Sequence, residues 1–183
     1  MQLVTKRLLL REFEGDDWLA LTTFRADPLV ARYADEDLST PALAQAWINW
    51  RLIHDREQPR TGHAFAIILQ GNQPLIGELG IGLASHPTIV GEYNFTYSLA
   101  RPYWGNGFMA EALCAVVDFY FQDMHAQRIY AECNPANTQS ARVMEKVGMH
   151  YEGACLQPGI IDSAQEPGSR YALTRGEWKR RRR

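Results

Sequence analysis

The sequence predicts a mixed α/β fold in a single domain, and two observations carry that reading. Two amphipathic helical segments precede a set of central hairpins, and two more helices punctuate the later strands. This is neither the strict alternation of a doubly wound sheet nor the unbroken strand run of a sandwich. No internal repeat and no long linker divides the 183 residues, a length that fits one domain with ample material for a core.

Each element has a local reason. Arg7 to Phe13 is branched and apolar between charges, a strand. Asp16-Asp17 caps a helix whose apolar positions Trp18, Leu21 and Phe24 share a face. Thr40-Pro41 opens a second helix, because proline suits a first turn; its apolar side carries Leu43, Ala44, Trp47, Ile48 and Leu52. After a polar loop from Glu57 to Gly62, His63 to Leu69 and Leu75 to Leu83 read as strands around the turn Gln70-Gly71-Asn72. Pro87 breaks the chain, and Ile89 to Leu99 is the next strand. The main helix, Met109 to Phe121, precedes a strand from Arg128 to Cys133. Pro135-Ala136-Asn137 leads into a short helix that ends at Gly148, a left-handed cap. Met149 to Leu156 and Arg170 to Thr174 are the last strands, joined by a loop from Gln157 to Ser169.

Composition bounds the function classes. A hydrophobic content of 46% and a charged content of 22% are ordinary for a soluble globule. No apolar run approaches the ~20 residues of a membrane span, and Met1 to Arg11 lacks a signal-peptide core. Cys114, Cys133 and Cys155 are odd in number and widely spaced, so they read as inert buried thiols rather than a disulfide framework or a metal site, and a cytoplasmic location is expected. The net charge is −2, but Lys179 to Arg183 are all basic; without them 14 basic residues face 21 acidic ones, a body at −7. Such a body suits a cationic acceptor. The tail reads as a solvated, disordered end, with docking to RNA as the functional alternative.

Tyr103-Trp104-Gly105-Asn106-Gly107-Phe108-Met109 carries the most chemistry. Two glycines stand where a strand gives way to a helix. Glycine turns tightly and admits close approach, while the first helical amides lack internal partners and carry partial positive charge, so a phosphate fits there. Phe108 and Met109 stand where a nucleotide P-loop needs Lys and then Ser or Thr, which excludes that motif. A dinucleotide fingerprint is disfavoured too, because the preceding strand does not open an alternating strand–helix run.

The order of motifs resembles the GNAT superfamily of acyl-CoA-dependent N-acetyltransferases, in particular its RimJ/RimL-type branch. Leu3 to Arg11 is similar to the branch's opening strand and Pro74-Leu75-Ile76-Gly77 to its central strand. Tyr97-Ser98-Leu99 with Pro102 to Gly107 is similar to its pyrophosphate loop. Asn137-Thr138-Gln139-Ser140 with Glu145 to Met149 is similar to its next helix and turn, and Arg175-Gly176-Glu177-Trp178 to its closing strand. The resemblance implies one N-acetyltransferase domain over residues 1–178 with a basic tail at 179–183. It also implies a mostly antiparallel seven-stranded sheet whose fourth and fifth strands splay around acetyl-CoA.

The resemblance further implies site residues. Gly105, Asn106, Gly107, Phe108 and Met109 hold the pyrophosphate, Leu99 and Ala100 pair with the pantetheine amides as an added strand would, and Asn137 contacts the pantetheine arm. The family's loop often begins with Gln or Arg where Pro102 stands, beside Arg101. Many members use a tyrosine as thiolate acid at the position of Met144; Ser140, one turn earlier on the same helix face, takes that role in the RimL type. Branch members often carry Glu where Asn94 stands, and asparagine accepts no proton as a base, so the candidates become Glu92, two residues earlier on the same polar face, and Glu78. The expected partners are acetyl-CoA and an amine acceptor, either a protein N-terminus or a small molecule. No metal, no membrane and no nucleic-acid partner is expected, and the chain is expected to be a monomer or homodimer. A catalytically silent acyl-CoA-binding module is the alternative. The segments Arg56 to His63 and Gln157 to Ser169 are expected to line the acceptor side.

Overall fold

The computed structural model describes residues 1–34, 36–56, 58–71, 74–158 and 165–182. Asn72 of the expected turn, residues 159–164 of the last long loop and Arg183 of the tail lie outside the described residues. One sheet runs through the molecule in the order β1 (Gln2–Val4), β2 (Leu8–Arg11), β3 (Gly62–Leu69), β4 (Leu75–Leu83), β5 (Glu92–Leu99), β6 (Arg128–Cys133), β8 (Gln165–Thr174), β7 (His150–Pro158). Every neighbouring pair is antiparallel except β5–β6. The sheet thus has eight strands where seven were expected. The opening segment divides because Thr5 turns it: Thr5 N–H donates to Leu8 O at 3.0 Å, and Leu8 N–H donates to Thr5 Oγ1 at 3.0 Å.

Side-chain alternation gives each strand two faces. On one face Phe65, Ile67, Leu79, Ile81, Tyr93 and Phe95 pack against α4 (Phe108–Gln122) and α5 (Thr138–Val147). The buried residues of α4 recur at helical spacing, from Met109 through Leu113 and Val116 to Tyr120. On the other face the small Ala64 and Ala66 lie beneath α1 (Trp18–Arg25), α2 (Pro28–Ala31) and α3 (Pro41–His54), with Leu21, Phe24 and Ile48 in that second core. The four-residue α2, capped by Asp27, has too few positions for a periodic signal and was not expected from sequence. Thr40 caps α3 as expected, accepting from Leu43 N–H at 3.3 Å. Asp17 stands at the N-cap of α1 as expected, but its carboxylate bonds no amide of that helix; it accepts from Glu14 N–H at 2.7 Å and takes Arg11 in a bidentate pair at 2.6 and 2.8 Å.

The expected closing strand is a helix. Residues Arg175–Arg181 form α6, opened by a capping box in which Thr174 Oγ1 accepts from Glu177 N–H and the Glu177 carboxylate accepts from Thr174 N–H. The basic end is docked rather than loose. The ring of Trp178 stacks on Phe121 at 5.4 Å, Arg182 pairs with Asp118 at 3.1 Å, and Arg181 Nη1 donates to Val147 O at 2.9 Å. Arg181 lies directly over Gly148, whose φ of +95° ends α5 in the left-handed region. Deleting Lys179 to Arg183 removes both arginine contacts. The truncated chain is expected to melt a few degrees lower, roughly the effect of ~1 kcal/mol in a domain of this size, with unchanged affinity for the acetyl-CoA that the sequence resemblance implies. Scanning calorimetry and titration of the same preparations check it; a changed affinity would tie the tail to the site.

His63 is a buried polar group within the first core, 6% exposed. Its Nδ1 lies 2.7 Å from the Tyr120 hydroxyl, which itself donates to Ile81 O at 3.2 Å. Burial first, and the nearby Arg60 charge second, lower its pKa from 6.5 to about 4. The folded state therefore holds the neutral ring, and its stabilisation is complete above pH 6.5 and is lost as pH falls toward 4, where the unfolded chain binds the extra proton. The loss amounts to about 3 kcal/mol at ~1.36 kcal/mol per pH unit. Denaturant unfolding at several pH values between 7 and 4 is expected to show this slope, and a His63→Phe variant is expected to flatten it. Parallel slopes for the two proteins would contradict the assignment.

Candidate functional site

The β5–β6 ladder is short. Glu92, Tyr93 and Asn94 pair with Arg128, Ile129 and Tyr130, and no register continues beyond Asn94. Past that point the two strands diverge. Backbone groups alternate in direction along a strand, and Ala100 N–H points to β4, donating to Ile76 O at 2.8 Å. The peptide groups of Tyr97 and Leu99 therefore face the gap. Leu99 O accepts from Trp104 Nε1 at 2.6 Å, while its N–H is directed into the opening. Ala100, expected to pair with pantetheine, is unsuited to it: its carbonyl also accepts from Tyr103 N–H at 3.0 Å, so both its groups are used inside the protein. Tyr97 and Leu99 are the residues whose peptide groups face the gap.

The glycine loop closes the top of the gap. Gly105 and Gly107 have φ of +78° and +77°. Gly107 is the N-cap of α4 and offers no side-chain acceptor, and the helical ladder starts only with Glu111 N–H to Gly107 O. The amides of Phe108, Met109 and Ala110 thus carry the positive end of a fifteen-residue helix without internal partners. Asn106 shapes the loop, its Nδ2 donating to Tyr103 O at 3.3 Å and Trp104 O at 3.1 Å. Arg7 was missed from sequence. Its guanidinium donates to Asn106 O at 3.1 Å, pairs with Glu111 at 2.6 Å, and lies over the Phe108 ring at 4.3 Å, which places a cation at the loop. It is about a hundred residues distant in the chain, and no local pattern could have announced it. Arg101 points elsewhere, to Asp27 at 2.6 Å.

Across the gap, Asn137 caps α5 through Oδ1, which accepts from Ser140 N–H at 3.1 Å. Ser140 Oγ lies 2.7 Å from the Tyr97 hydroxyl. Burial pushes the Tyr97 phenol well above its ordinary pKa, so it stays protonated at neutral pH. Met144 is fully buried in the core and faces no cleft. The hydroxyl partner of Ser140 thus comes from β5, a pairing invisible to helical spacing.

The two carboxylate candidates part company. Glu92 is 1% exposed at the closed end of β5. Thr88 N–H donates to it at 2.5 Å, and Arg128 pairs with it. Burial pushes its carboxyl up, but the Thr88 and Arg128 donors outweigh that and hold it below the usual range. This corrects the expectation of a base at the cleft: Glu92 is an ion-pair anchor for the β5–β6 contact, and its lone pairs are already engaged. Glu78 lies beside Ser98 on the α1–α3 face, 3.0 Å from Arg25. Arg25 also donates to Ser98 Oγ at 2.7 Å and Glu36 O at 2.5 Å.

Two cavities, of about 310 and about 380 Å³, open on that same face and share Trp50, Arg51, Gly80 and Thr96, forming one trough. Glu78 and Ser98 line one end; Arg60, His54 and Asn94 line the other. Part of the expected Arg56 to His63 segment, Pro59 to His63, is among the lining residues. The thiols differ from expectation: Cys114 is exposed on the outward side of α4, Cys133 is buried and Cys155 is half-buried. Among the described residues no group of three metal-ligating side chains converges, and no helix is long and apolar enough to cross a membrane.

A family model described as the acetyltransferase (GNAT) domain matches residues 7–150. The chain is 34% identical over 164 residues to the uncharacterized N-acetyltransferase YnaD of Bacillus subtilis (strain 168), covering 87% of this chain and 90% of that one. A GNAT-family acetyltransferase from Bacillus anthracis superposes with a TM-score of 0.78 at 29% identity, over 97% of this chain and all of that one. Mycobacterium smegmatis RimJ, in complex with CoA-disulfide, superposes with a TM-score of 0.78 at 24% identity, over 93% of this chain and 83% of that one, a likeness of fold.

Proposed function

Because the chain belongs to the acetyltransferase (GNAT) domain family, we propose that it transfers the acetyl group of acetyl-CoA to a primary amine bound in the trough. One conjunction supports this reading above the rest: an uncapped helix N-terminus behind two left-handed glycines stands at the mouth of a gap between two parallel strands. A pyrophosphate fits the first feature and an amide-bearing arm fits the second. The CoA carried by the M. smegmatis RimJ structure is consistent with it.

In this reading the pyrophosphate takes the amides of Phe108, Met109 and Ala110, with Arg7 beside them. Pantetheine runs along Tyr97 and Leu99, and Asn137 faces it from α5. The acceptor first loses an ammonium proton to water, its neutral nitrogen attacks the thioester carbon, the C–S bond breaks, and the leaving sulfur takes a proton from Ser140 Oγ; the Tyr97 hydroxyl resupplies the serine, and the second proton shed by the new amide nitrogen restores the Ser140–Tyr97 pair. Glu78 holds the incoming ammonium. An α-amine, with a pKa of ~7.7–8.0, needs far less help losing its proton than a lysine-type amine at ~10.4, so a weak base is sufficient for it.

The test is a thiol assay with purified protein, acetyl-CoA and a panel of α-amines, alkyl amines and peptides. Amine-dependent release of free CoA, with the matching mass gain of one acetyl group on the amine, is the expected result. Tight acetyl-CoA binding without release for any amine would reduce the protein to an acyl-CoA-binding module.

A further inference from the structure

The trough is walled by aromatic rings. Trp50, near the end of α3, lines both cavities with 48% of its surface exposed. Its indole stacks on His54 at 4.1 Å. Trp47 stands one turn earlier and meets Phe13 edge to face at 5.0 Å. Both of these rings line the cavity of about 310 Å³, together with Tyr33. An indole left half in solvent adds little to the core, and aromatic rings around a concave site supply contact area to a ligand.

The floor is flat. Alternate residues share a face of the sheet, so β4 presents Glu78, Gly80 and Gly82 in a row, with Ala64 of β3 beside Gly80 and Gly62 beside Gly82. A Cβ at Gly80 would meet only Thr96 Oγ1 at 3.5 Å, and one at Gly82 would have the Thr61 carbonyl at 3.7 Å as its nearest neighbour. Packing therefore does not require glycine at either position, and leaving them without side chains keeps the trough open. Two positions on each of two neighbouring strands cover roughly 5 by 7 Å, about the footprint of one aromatic ring or a fused pair. The charges around this space are matched within the protein. Arg25 faces Glu78 at 3.0 Å, Arg51 faces Asp55 at 2.6 Å, and Arg60 faces Asp55 at 3.2 Å and Glu12 as well. An acidic group on the acceptor would have to compete with those carboxylates; a neutral ring would not.

We propose that the acceptor is an arylalkylamine, a primary amine joined by two or three carbons to a planar aromatic ring, with the ring on the Gly80–Gly82 floor against Trp50 and the nitrogen beside Glu78. This rests on the acetyltransferase reading above and names its substrate class. Glu78 is two residues from Gly80, ~7 Å along the strand, a distance that such a chain spans. It is paired in register with Ser98, and the same cavity reaches Thr96 and Tyr97, where β5 borders the gap. A ring seated on the glycines therefore directs the nitrogen, and not the ring, toward the thioester.

The experiment compares aromatic amines with their saturated counterparts. Free CoA release is measured with acetyl-CoA and phenyl- and indolyl-alkylamines of one to four chain carbons, the cyclohexyl analogues, straight-chain alkylamines, a diamine, the common amino acids, and pentapeptides. At least one arylalkylamine with a two- or three-carbon chain is expected to exceed the straight-chain amine in kcat/KM by about tenfold or more, and its cyclohexyl analogue by about threefold. Trp50→Ala and Gly80→Val should each bring both ratios close to one while acetyl-CoA affinity by calorimetry stays unchanged, the first by removing the wall and the second by raising the floor. Trp50 is half in solvent, so Trp50→Ala decides the matter if Gly80→Val fails to fold. Straight-chain amines, the diamine, amino acids or peptides outperforming every arylalkylamine would overturn the proposal and leave the acetyltransferase reading intact. The same holds for a cyclohexyl analogue equal to its aromatic partner, and for a ring preference that survives either substitution in a folded protein. No amine-dependent CoA release from any member of the panel would remove both.

Discussion

Replacing Gly107 by valine is expected to weaken the proposed acetyl-CoA binding about a hundredfold or more. Gly107 sits at φ +77°, where a branched residue is strained by roughly 1–2 kcal/mol. Its built Cβ has only Arg7 Nη2 nearby, at 3.7 Å, so the fold itself tolerates an added methyl. Two consequences then fall on the ligand. The isopropyl group covers the start of α4, where Phe108, Met109 and Ala110 present their free amides. The strained residue also relaxes by swinging the loop, which misdirects those amides. Losing two hydrogen bonds to a charged group, at roughly 1.5–3 kcal/mol each, exceeds the 2.7 kcal/mol that corresponds to a factor of about a hundred. Isothermal calorimetry on the folded variant measures it. Unchanged affinity would show that the phosphates bind somewhere else.

Ser140→Ala is expected to lower turnover by ~10²-fold, the low end of general acid catalysis, with little change in acetyl-CoA affinity. In the proposed mechanism the hydrogen bond from Ser140 matters once the sulfur carries charge, so its loss falls on the transition state and not on the bound thioester. The CoA thiol is fairly acidic and water can stand in, which keeps the effect modest. The Tyr97 hydroxyl, 2.7 Å from Ser140 Oγ, adds a second readout. Tyr97→Phe removes the proton resupply proposed for that hydroxyl and is expected to slow turnover less than Ser140→Ala does. Wild-type rates for Ser140→Ala, under conditions where chemistry limits, would reject the role and leave Ser140 as the residue whose N–H the Asn137 cap accepts.

What was legible in the sequence were features written in neighbouring residues. The Gly105–Gly107 pair placed the start of the main helix and the glycine loop before it, and Pro135-Ala136-Asn137 placed the start of the next helix. What was not legible came from long-range partners. The loop's cation, Arg7, arrives from the first strands. Ser140 finds its hydroxyl partner on another strand. Glu92 looked like a cleft base by alternation alone; only its contact with Arg128, on the parallel strand, shows the carboxylate to be spoken for. Arg175 to Trp178 read as a strand because a family pattern ended in one. The capping box from Thr174 to Glu177 was present in the sequence and, weighed by itself, indicated a helix.

The divergence of β5 and β6 has a thermodynamic side. It leaves an interior sheet with two facing edges, each presenting peptide groups that a complete ladder would have satisfied. If acetyl-CoA supplies the missing strand, the co-substrate is also part of the fold's free energy. Resistance to heat, proteolysis and edge-to-edge aggregation then tracks its free concentration by mass action, gaining ~2.7 kcal/mol at a hundred times the dissociation constant. A cell rich in acetyl-CoA would hold a sturdier population of this enzyme than a starved one, so the protein's lifetime would report on the same metabolic supply that feeds its reaction.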